Sequence, residues 1–201
     1  ANTARVSFAG EEWSELPDGY TPKQRDGLIR YLAKHKHMSP FRHNSITIRA
    51  EEPIFLVRQL GKHQAGLSWN EVSRRYVSEN ITFHVPEKWR EAPEGSIKQG
   101  SGRTHPHSKS WSYTYAEHCD KALDLYDTMI ADNVAPEQAR MVLPQSMNTT
   151  WVWTGNLLAF AHCYKERIAP NAQVEAQEFA KELDTIIRPL FPVSWRALVG
   201  D

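Results

Sequence analysis

The chain has 201 residues with 24 basic and 24 acidic side chains, and we predict a single domain over residues 1–201 with a sizeable core. The balanced charge excludes a broad nucleic-acid or membrane-binding surface, and no apolar run approaches the roughly 20 residues of a membrane span. Cys119 and Cys163 lack paired spacing, so we expect reduced thiols, a cytoplasmic location, and neither nucleic acid nor membrane as a partner.

The first predicted elements are an extended segment and a helix. Residues Ala4 to Phe8 alternate between apolar and polar side chains, which predicts a short strand or an extended entry. A helix is predicted from Thr21 to Lys36, because Thr21 is a favourable N-cap and Pro22 suits the first helical position.

Three histidines follow this helix closely, His35, His37 and His43. Together with His63 they support one alternative hypothesis, a metal-dependent hydrolase. No carboxylate or thiol stands at the spacing of known zinc ligands, and histidines at a helix C-terminus also have an ordinary explanation in the helix dipole. We therefore predict no metal site.

Two strands and a polar loop are predicted next. Ser45 to Arg49 alternates and Ile54 to Val57 is continuously apolar, which favours two sheet strands, the second more buried, joined by Glu51-Glu52-Pro53. From Arg58 to Tyr76 the polar side chains come in clumps around two glycines rather than at helical spacing. We predict that this segment is a loop that gathers hydrogen-bond donors around an anion.

The second half of the chain is predicted to be mainly helical. After a short strand at Ile81 to Val85, a segment rich in Gly, Pro, Ser and His predicts a long loop from Pro86 to His107. Apolar residues then favour four helices, of which the third is so uniformly apolar that we expect it in the core or at a subunit interface. The predicted helices are Tyr115 to Asn133, Pro136 to Leu143, Trp151 to Arg167 and Asn171 to Arg188.

The predicted loop contains Lys62-His63-Gln64, then eight residues, then Ser73-Arg74-Arg75-Tyr76. This order resembles the signature of the flavin-dependent thymidylate synthases. In that signature Arg-His-Arg is followed by seven residues, then by Ser, and a closing Arg-Tyr ends the pattern. Similar segments follow one another from Ala4 to about Trp195, which is nearly the whole chain. They include Ala4-Arg5-Val6-Ser7, His37 to His43, Gln99-Gly100-Ser101, Ala139 to Pro144, Trp153-Thr154-Gly155-Asn156 and Ala172-Gln173-Val174-Glu175.

The resemblance implies an α/β fold of the α+β type, with a largely antiparallel sheet flanked by helices, in a homotetramer whose active sites are shared among chains. It implies reductive methylation of dUMP to dTMP, with 5,10-methylenetetrahydrofolate as one-carbon donor and NADPH as reductant through FAD. No Gly-x-Gly-x-x-Gly follows a predicted strand, so a Rossmann flavin site is not indicated and FAD is expected between subunits.

The resemblance also implies roles for individual residues, with Arg75 and Arg167 as the catalytic ones. Charge-assisted contacts from arginines to a phosphate are worth about 1.5–3 kcal/mol each, and arginines at the uracil oxygens stabilise charge that develops during methylation. The implied dUMP-binding residues are Gln59, Glu71, Ser73, Arg75, Arg140 and Arg167. The implied FAD-binding residues are Ser7, Ser39, Lys62, His63, Gln64, Asn70, Glu71, Asn156 and His162.

The sequence indicates no protein nucleophile. Neither cysteine stands in the electropositive setting that activates a thiolate, and Ser73 lacks a base held by a third group, so we expect the flavin to supply the reactivity. A second alternative is a nucleotide- or flavin-binding homologue without catalysis. It is motivated by Lys62, Gln64 and Leu158, which stand where the family has arginine. Each of these residues lacks the planar guanidinium group that arginine would provide.

Overall fold

A three-stranded sheet with helices packed against it organises the computed structural model, which describes residues 3–4, 21–95 and 99–200. No helix in these ranges has the length and apolar character needed to cross a bilayer. In chain order the helices and strands are α1 Pro22–Lys34, β1 Ile46–Pro53, α2 Ile54–Leu60, β2 Leu67–Glu71, α3 Ser108–Ala131, α4 Pro136–Ala139, β3 Asn148–Gly155, α5 Leu157–Arg167, α6 Val174–Leu190 and α7 Pro192–Val199. Short 3-10 turns occupy Ser39–Arg42 and Arg140–Val142.

The sheet has β3 at its centre, with β1 and β2 each pairing to it in the antiparallel sense. Successive residues of β3 point to opposite faces, so Trp151 and Trp153 are each only 1% exposed whereas Val152 is 44% exposed. The buried face packs on the helices, where Trp151 stacks on Phe179 of α6 and Trp153 meets Phe160 of α5 edge to face. The predicted antiparallel sheet flanked by helices is confirmed.

Helix α1 begins where the sequence places it. The Thr21 side chain accepts a hydrogen bond from the backbone N–H of Gln24 at 3.3 Å, and the Gln24 side chain accepts from the backbone N–H of Thr21 at 2.8 Å. This reciprocal capping box satisfies amide groups that a helix start otherwise leaves without partners. The helix ends at Lys34, two residues before the predicted end.

The predicted buried strand at Ile54 to Val57 is wrong, because these residues begin α2. Strand β1 instead continues through the two glutamates to Pro53, whose extended backbone precedes the first helical turn. Leu56 and Leu60 are fully buried one turn apart, which gives α2 a single apolar face. A short apolar run does not by itself distinguish a buried strand from a buried helical turn.

The predicted helix from Trp151 to Arg167 is wrong over its first part, which forms the central strand β3. The turn into α5 requires glycine, because a Cβ on Gly155 would lie 2.3 Å from Leu67 Cδ2 and 2.8 Å from the Gly66 carbonyl oxygen. Buried and exposed positions alternate along β3, but Trp151, Val152 and Trp153 are all apolar, so the sequence does not show this alternation.

The loop predicted from Arg58 to Tyr76 is also wrong in part, since its start completes α2 and its middle forms β2. The strand predicted at Ile81 to Val85 reduces to one bridge between Phe83 and Met147. The loop from Pro86 to His107 is confirmed in its described residues, the predicted helices around α3, α4 and α6 are confirmed in type, and α7 follows where a stop was predicted.

Candidate functional site

Three predicted nucleotide-binding residues, Glu71, Ser73 and Arg140, lie around one cleft of about 490 Å³ beside the edge strand β2. We call it the edge cleft. Strand β2 supplies Glu71 and the following turn supplies Ser73, while Arg140 comes from the 3-10 turn after α4. The full lining is Ile54, Glu71, Val72, Ser73, Arg74, Arg140, Met141, Leu143, Met147 and Thr149.

Arginines 74 and 75 have different settings beside the edge cleft. Arg74 donates to the carbonyl oxygens of Val77 and Glu79, the latter at 2.7 Å, so it holds the turn together. Arg75 is exposed; its Nε donates to Ser73 Oγ at 3.3 Å and its guanidinium lies 5.1 Å from the centre of the Tyr76 ring. Arg75 is therefore held beside Ser73 while its charge faces solvent.

Arg75 and Arg140 retain charge that an anion can use. Arg140 Nε donates to the backbone oxygen of Glu137 at 3.3 Å. Among residues 21–95 and 99–200, neither arginine forms an ion pair with a carboxylate. Two cations without carboxylate partners, together with a hydroxyl, form a donor set suited to a phosphate group.

The other predicted nucleotide-binding residues, Gln59 and Arg167, lie together in a second cleft of about 310 Å³. We call it the amide cleft, because most of its polar residues carry side-chain amides. Gln59 comes from the last turn of α2, and its Nε2 donates to Gln173 Oε1 at 2.5 Å. The lining is Gln59, Gln99, Gly100, Glu166, Arg167, Ala169, Asn171, Ala172 and Gln173.

Arg167, at the end of α5, also fixes the state of His63. Its Nε donates to His63 Nε2 at 3.0 Å, so this ring nitrogen is an acceptor and the imidazole is neutral. Burial lowers the pKa of His63, and the positive charge of Arg167 lowers it further. The predicted flavin-side histidine is thereby coupled to a predicted nucleotide-side arginine within one chain.

A third cleft, of about 370 Å³, contains the predicted flavin-binding residues His63, Gln64 and Glu71. We call it the tryptophan cleft, because Trp69 and Trp153 form part of its wall. Glu71 lines both this cleft and the edge cleft, so the two are neighbours. The remaining lining residues are Val57, Arg58, Gly61 and Leu67.

Asn70 and Glu71 were predicted to bind the same cofactor, but they point to opposite faces of the sheet. In β2, Glu71 pairs with buried Trp151 and Asn70 pairs with exposed Val152. Side chains on opposite faces of one strand do not share a single pocket of the same chain.

The other predicted flavin-binding residues that the structure describes line none of the three clefts. Ser39 and His162 are exposed on the first 3-10 turn and on α5, and Lys62 is exposed just after α2. Asn156 caps α5, since its Oδ1 accepts from the backbone N–H of Ala159 at 3.0 Å. Ser7 lies outside the residues that the structure describes.

The edge cleft and the amide cleft share no lining residue. One chain therefore does not bring Arg140 and Arg167 to a single cleft. Sequence reasoning assigned no role to Gln173, which lines the amide cleft, or to Arg90 and Glu175, which form an ion pair. The signal available was the segment Ala172-Gln173-Val174-Glu175, in which two polar residues begin a helix that is otherwise amphipathic.

The structure also describes Cys163 and the histidines that were considered as metal ligands. Cys163 is fully buried, and burial raises the pKa of its thiol to about 12, so it carries no thiolate at neutral pH. Across residues 21–95 and 99–200, no three His, Cys, Asp or Glu side chains form a group that could hold a metal ion, and this range includes His35, His37, His43 and His63.

Comparison with protein families matches residues 1–193 to the Thy1 model, described as thymidylate synthase complementing protein. A flavin-dependent thymidylate synthase of Kosmotoga olearia is 33% identical over 200 residues, covering 98% of this chain and 83% of the relative. One of Thermus thermophilus is 31% identical over 177 residues, covering 88% of this chain. The match spans 64% of the length of that Thermus relative.

Two solved structures of a nucleotide methylase are also similar to this chain. A UMP/dUMP methylase, PolB from Streptomyces cacaoi, in a crystal structure with 5-Br dUMP, superposes with a TM-score of 0.85 and 32% identity over 98% of this chain and 87% of that one. A structure of the same methylase with 5-Br UMP gives a TM-score of 0.78 and 29% identity, covering 89% and 84% of the two chains.

Proposed function

Because the chain belongs to the Thy1 family of thymidylate synthase complementing proteins, we propose that it is a flavin-dependent thymidylate synthase. It would convert dUMP to dTMP with 5,10-methylenetetrahydrofolate as one-carbon donor and NADPH as reductant. The observation that supports this most directly is the edge cleft, which Ser73 and Arg140 line and beside which Arg75 contacts Ser73, in a chain similar to a methylase crystallised with 5-Br dUMP.

The phosphate of dUMP would bind to Arg75, Arg140 and the Ser73 hydroxyl. A phosphate dianion is strongly hydrated, and the donors that replace its water must carry charge. Arg75 already lies against the Ser73 hydroxyl and the Tyr76 ring, so part of the ordering cost of this flexible side chain is met before the ligand binds.

The uracil ring would bind to Arg167 and Gln59. Negative charge develops on the uracil carbonyl oxygens during methylation, and a fixed guanidinium there stabilises the transition state more than the ground state. His63 accepts from Arg167 Nε and so holds the guanidinium in one orientation. We therefore assign Arg75 and Arg167 as the residues whose charge acts on the substrate.

FAD fits the donor set of the tryptophan cleft. His63 and Gln64 offer polar contacts there, exposed Lys62 adds a positive charge nearby, and Trp69 and Trp153 provide a flat apolar wall for an aromatic ring. When bound, FAD supplies the redox chemistry of the reaction. The protein's residues position the nucleotide and stabilise charge on the substrate.

The complete site would require more than one chain, in a homotetramer. Arg140 and Arg167 lie in separate clefts of one chain, and Asn70 and Glu71 lie on opposite faces of β2. A symmetric assembly repeats every surface, so the edge cleft of one subunit can meet the amide cleft of a neighbour.

The decisive experiment is tritium release from dUMP labelled at C5, with FAD, methylenetetrahydrofolate and NADPH each omitted in turn. Release that requires the folate and the flavin supports the synthase. Protein that binds dUMP but neither retains FAD nor releases tritium would instead be the non-catalytic homologue.

A second candidate substrate is UMP. It is favoured by the similarity to a protein named UMP/dUMP methylase, which has been crystallised with 5-Br UMP as well as 5-Br dUMP. UMP and dUMP differ only at the 2′ position of the sugar and carry the same uracil ring. The same tritium-release assay with UMP labelled at C5 therefore shows which of the two nucleotides is the substrate.

A further inference from the structure

We propose that Gln173 is a positioning residue that fixes the side-chain amide of Gln59 with its oxygen available to the amide cleft, and that this orientation selects uracil over cytosine. The inference rests on the proposed function, since it concerns which pyrimidine base the site accepts. It extends that function to two residues, Gln173 and Glu175, that have no place in the reaction described above.

The orientation originates at a buried ion pair. Glu175 is 8% exposed, and its Oε1 accepts from Arg90 Nη2 at 2.6 Å. Burial alone would raise the pKa of Glu175, but the hydrogen bonding of the carboxylate, first of all from Arg90, outweighs burial and lowers it. Glu175 is therefore ionised at neutral pH, and an ionised carboxylate only accepts hydrogen bonds.

Because the Glu175 carboxylate only accepts hydrogen bonds, it influences the orientation of the Gln173 amide. Glu175 Oε2 has no hydrogen-bond partner among the described residues, and Gln173, which lines the same cleft, carries an NH₂ group that can turn toward the carboxylate. An amide that turns its NH₂ group to a carboxylate presents its oxygen elsewhere. The oxygen of Gln173 accordingly accepts from Gln59 Nε2 at 2.5 Å.

Gln59 is then left with one orientation. Oxygen and nitrogen of a side-chain amide differ only through their hydrogen-bond partners, and Gln59 must give its NH₂ group to the Gln173 oxygen. Its own oxygen remains as the acceptor that it can offer to the amide cleft, which it lines together with Arg167. The donor direction thus runs from Gln59 through Gln173 to Glu175.

This orientation matches uracil and not cytosine. Uracil has an N3–H donor between two carbonyl acceptors, so the Gln59 oxygen can accept from N3–H while Arg167 donates to a carbonyl. Cytosine has a bare N3 acceptor and an amino group in place of one carbonyl. It would therefore set the N3 lone pair against the Gln59 oxygen and, where Arg167 faces C4, the amino N–H groups against a guanidinium that only donates.

The test compares equilibrium binding of dUMP and dCMP to the purified holoprotein and two variants. Gln173→Met keeps a similar volume but removes both amide groups, so the Gln59 amide can rotate. We expect the dCMP-to-dUMP ratio of dissociation constants to fall about 10- to 100-fold, chiefly through weaker dUMP binding. A merely structural role would weaken binding of both nucleotides equally and leave the ratio unchanged.

Gln177→Met is the matched control. Gln177 lies one turn further along α6, and its Nε2 donates to the backbone oxygens of Pro170 and Ala172, so it supports the same region without touching Gln59. This variant should keep the wild-type ratio. The proposal is overturned if Gln173→Met also keeps it, or if both variants lower it alike.

Glu175→Gln supplies an independent variant. An amide at position 175 can donate as well as accept, so it no longer dictates which group Gln173 turns toward it, and the ratio should again fall. Wild-type protein that binds neither nucleotide would defeat the proposed function. Wild-type protein that prefers dUMP, with Gln173→Met and Glu175→Gln preferring it equally strongly, would defeat the positioning role alone.

Discussion

At the residue scale, burial and charge act together on Glu52, which lies near the end of β1 on the face toward α6. Burial, together with the nearby carboxylates of Glu182, Glu178 and Glu51, raises the pKa of Glu52 to about 7. The folded state thus holds this proton more tightly than the unfolded state does. The stability from the protonated carboxyl is complete below pH 4.5 and is lost as the pH rises through about 7.

We therefore expect Glu52→Gln to stabilise the protein at pH 8 but not at pH 4. The full shift, discounted by about half for the partial exposure of the side chain, corresponds to roughly 1–2 kcal/mol. Urea unfolding of both proteins at the two pH values measures this. Glu79→Gln, at an exposed position outside the helices and strands, is the control and should change stability little; an equal effect of Glu52→Gln at both pH values would contradict the expectation.

Arg75 supports a second prediction at this scale. Removing one charge-assisted contact to the phosphate should weaken dUMP binding about 10- to 100-fold in Arg75→Ala, while FAD content stays close to wild type. Equilibrium dialysis gives the first quantity and flavin absorbance the second. Arg30→Ala removes an exposed cation from α1 and should change neither. Equal loss of nucleotide and flavin would mean that Arg75 serves the other ligand.

At the element scale, the helices with one apolar face and a clear cap could be predicted from the sequence. The Thr21 capping box marked the start of α1, and the apolar spacing around Tyr126 indicated α3. Periodicity failed where apolar residues follow one another directly, at Ile54 to Val57 and at Trp151 to Trp153, because such short runs show neither helical spacing nor strand alternation. In those segments the element type depends on tertiary partners, such as β1 and β2 on either side of β3, which local sequence does not specify.

The tight turn between β3 and α5 can be tested through Gly155. A Cβ there would overlap Leu67 and the Gly66 backbone, so Gly155→Ala should destabilise the protein by about 1–3 kcal/mol. At Gly27, inside α1, a Cβ would meet no atom within 4 Å, and Gly27→Ala should stabilise the helix by roughly 0.5–1 kcal/mol. Chemical unfolding compares the pair, and similar free-energy changes in both would argue against the steric explanation.

At the scale of the whole molecule, the motifs identified most candidate residues but not their grouping. Gln59, Ser73, Arg140 and Arg167 all line clefts, yet they divide between two of them. Sequence order carries no record of which surfaces of neighbouring copies meet. The pairing of Arg90 with Glu175 was equally invisible, because it joins positions far apart along the chain.

A shared site predicts complementation between inactive variants. Arg140→Ala and Arg167→Ala should each lack activity as uniform oligomers, whereas co-expression of the two should restore about a quarter of the native sites if subunits mix at random. Tritium release from dUMP by the mixed oligomer measures the recovery.

The control for complementation is co-expression of Arg140→Ala with Arg75→Ala. These residues belong to the edge cleft and its rim, so no mixture of subunits recreates an intact set. Recovery in both mixtures, or in neither, would contradict a site built from the edge cleft of one subunit and the amide cleft of another.

The unbroken register of β2 against β3 constrains how the chain length can vary here. Each of the residues from Leu67 to Glu71 has one partner in β3, so the strand contains no bulge. Adding a residue inside it would exchange Asn70 and Glu71 between the two faces. An added residue in this segment would therefore be accommodated outside the strand, for example beside Gly66, whose φ of +77° suits a tight turn. Insertions and deletions in this segment are thus restricted to its turns, so that each side chain of β2 stays on the same face of the sheet.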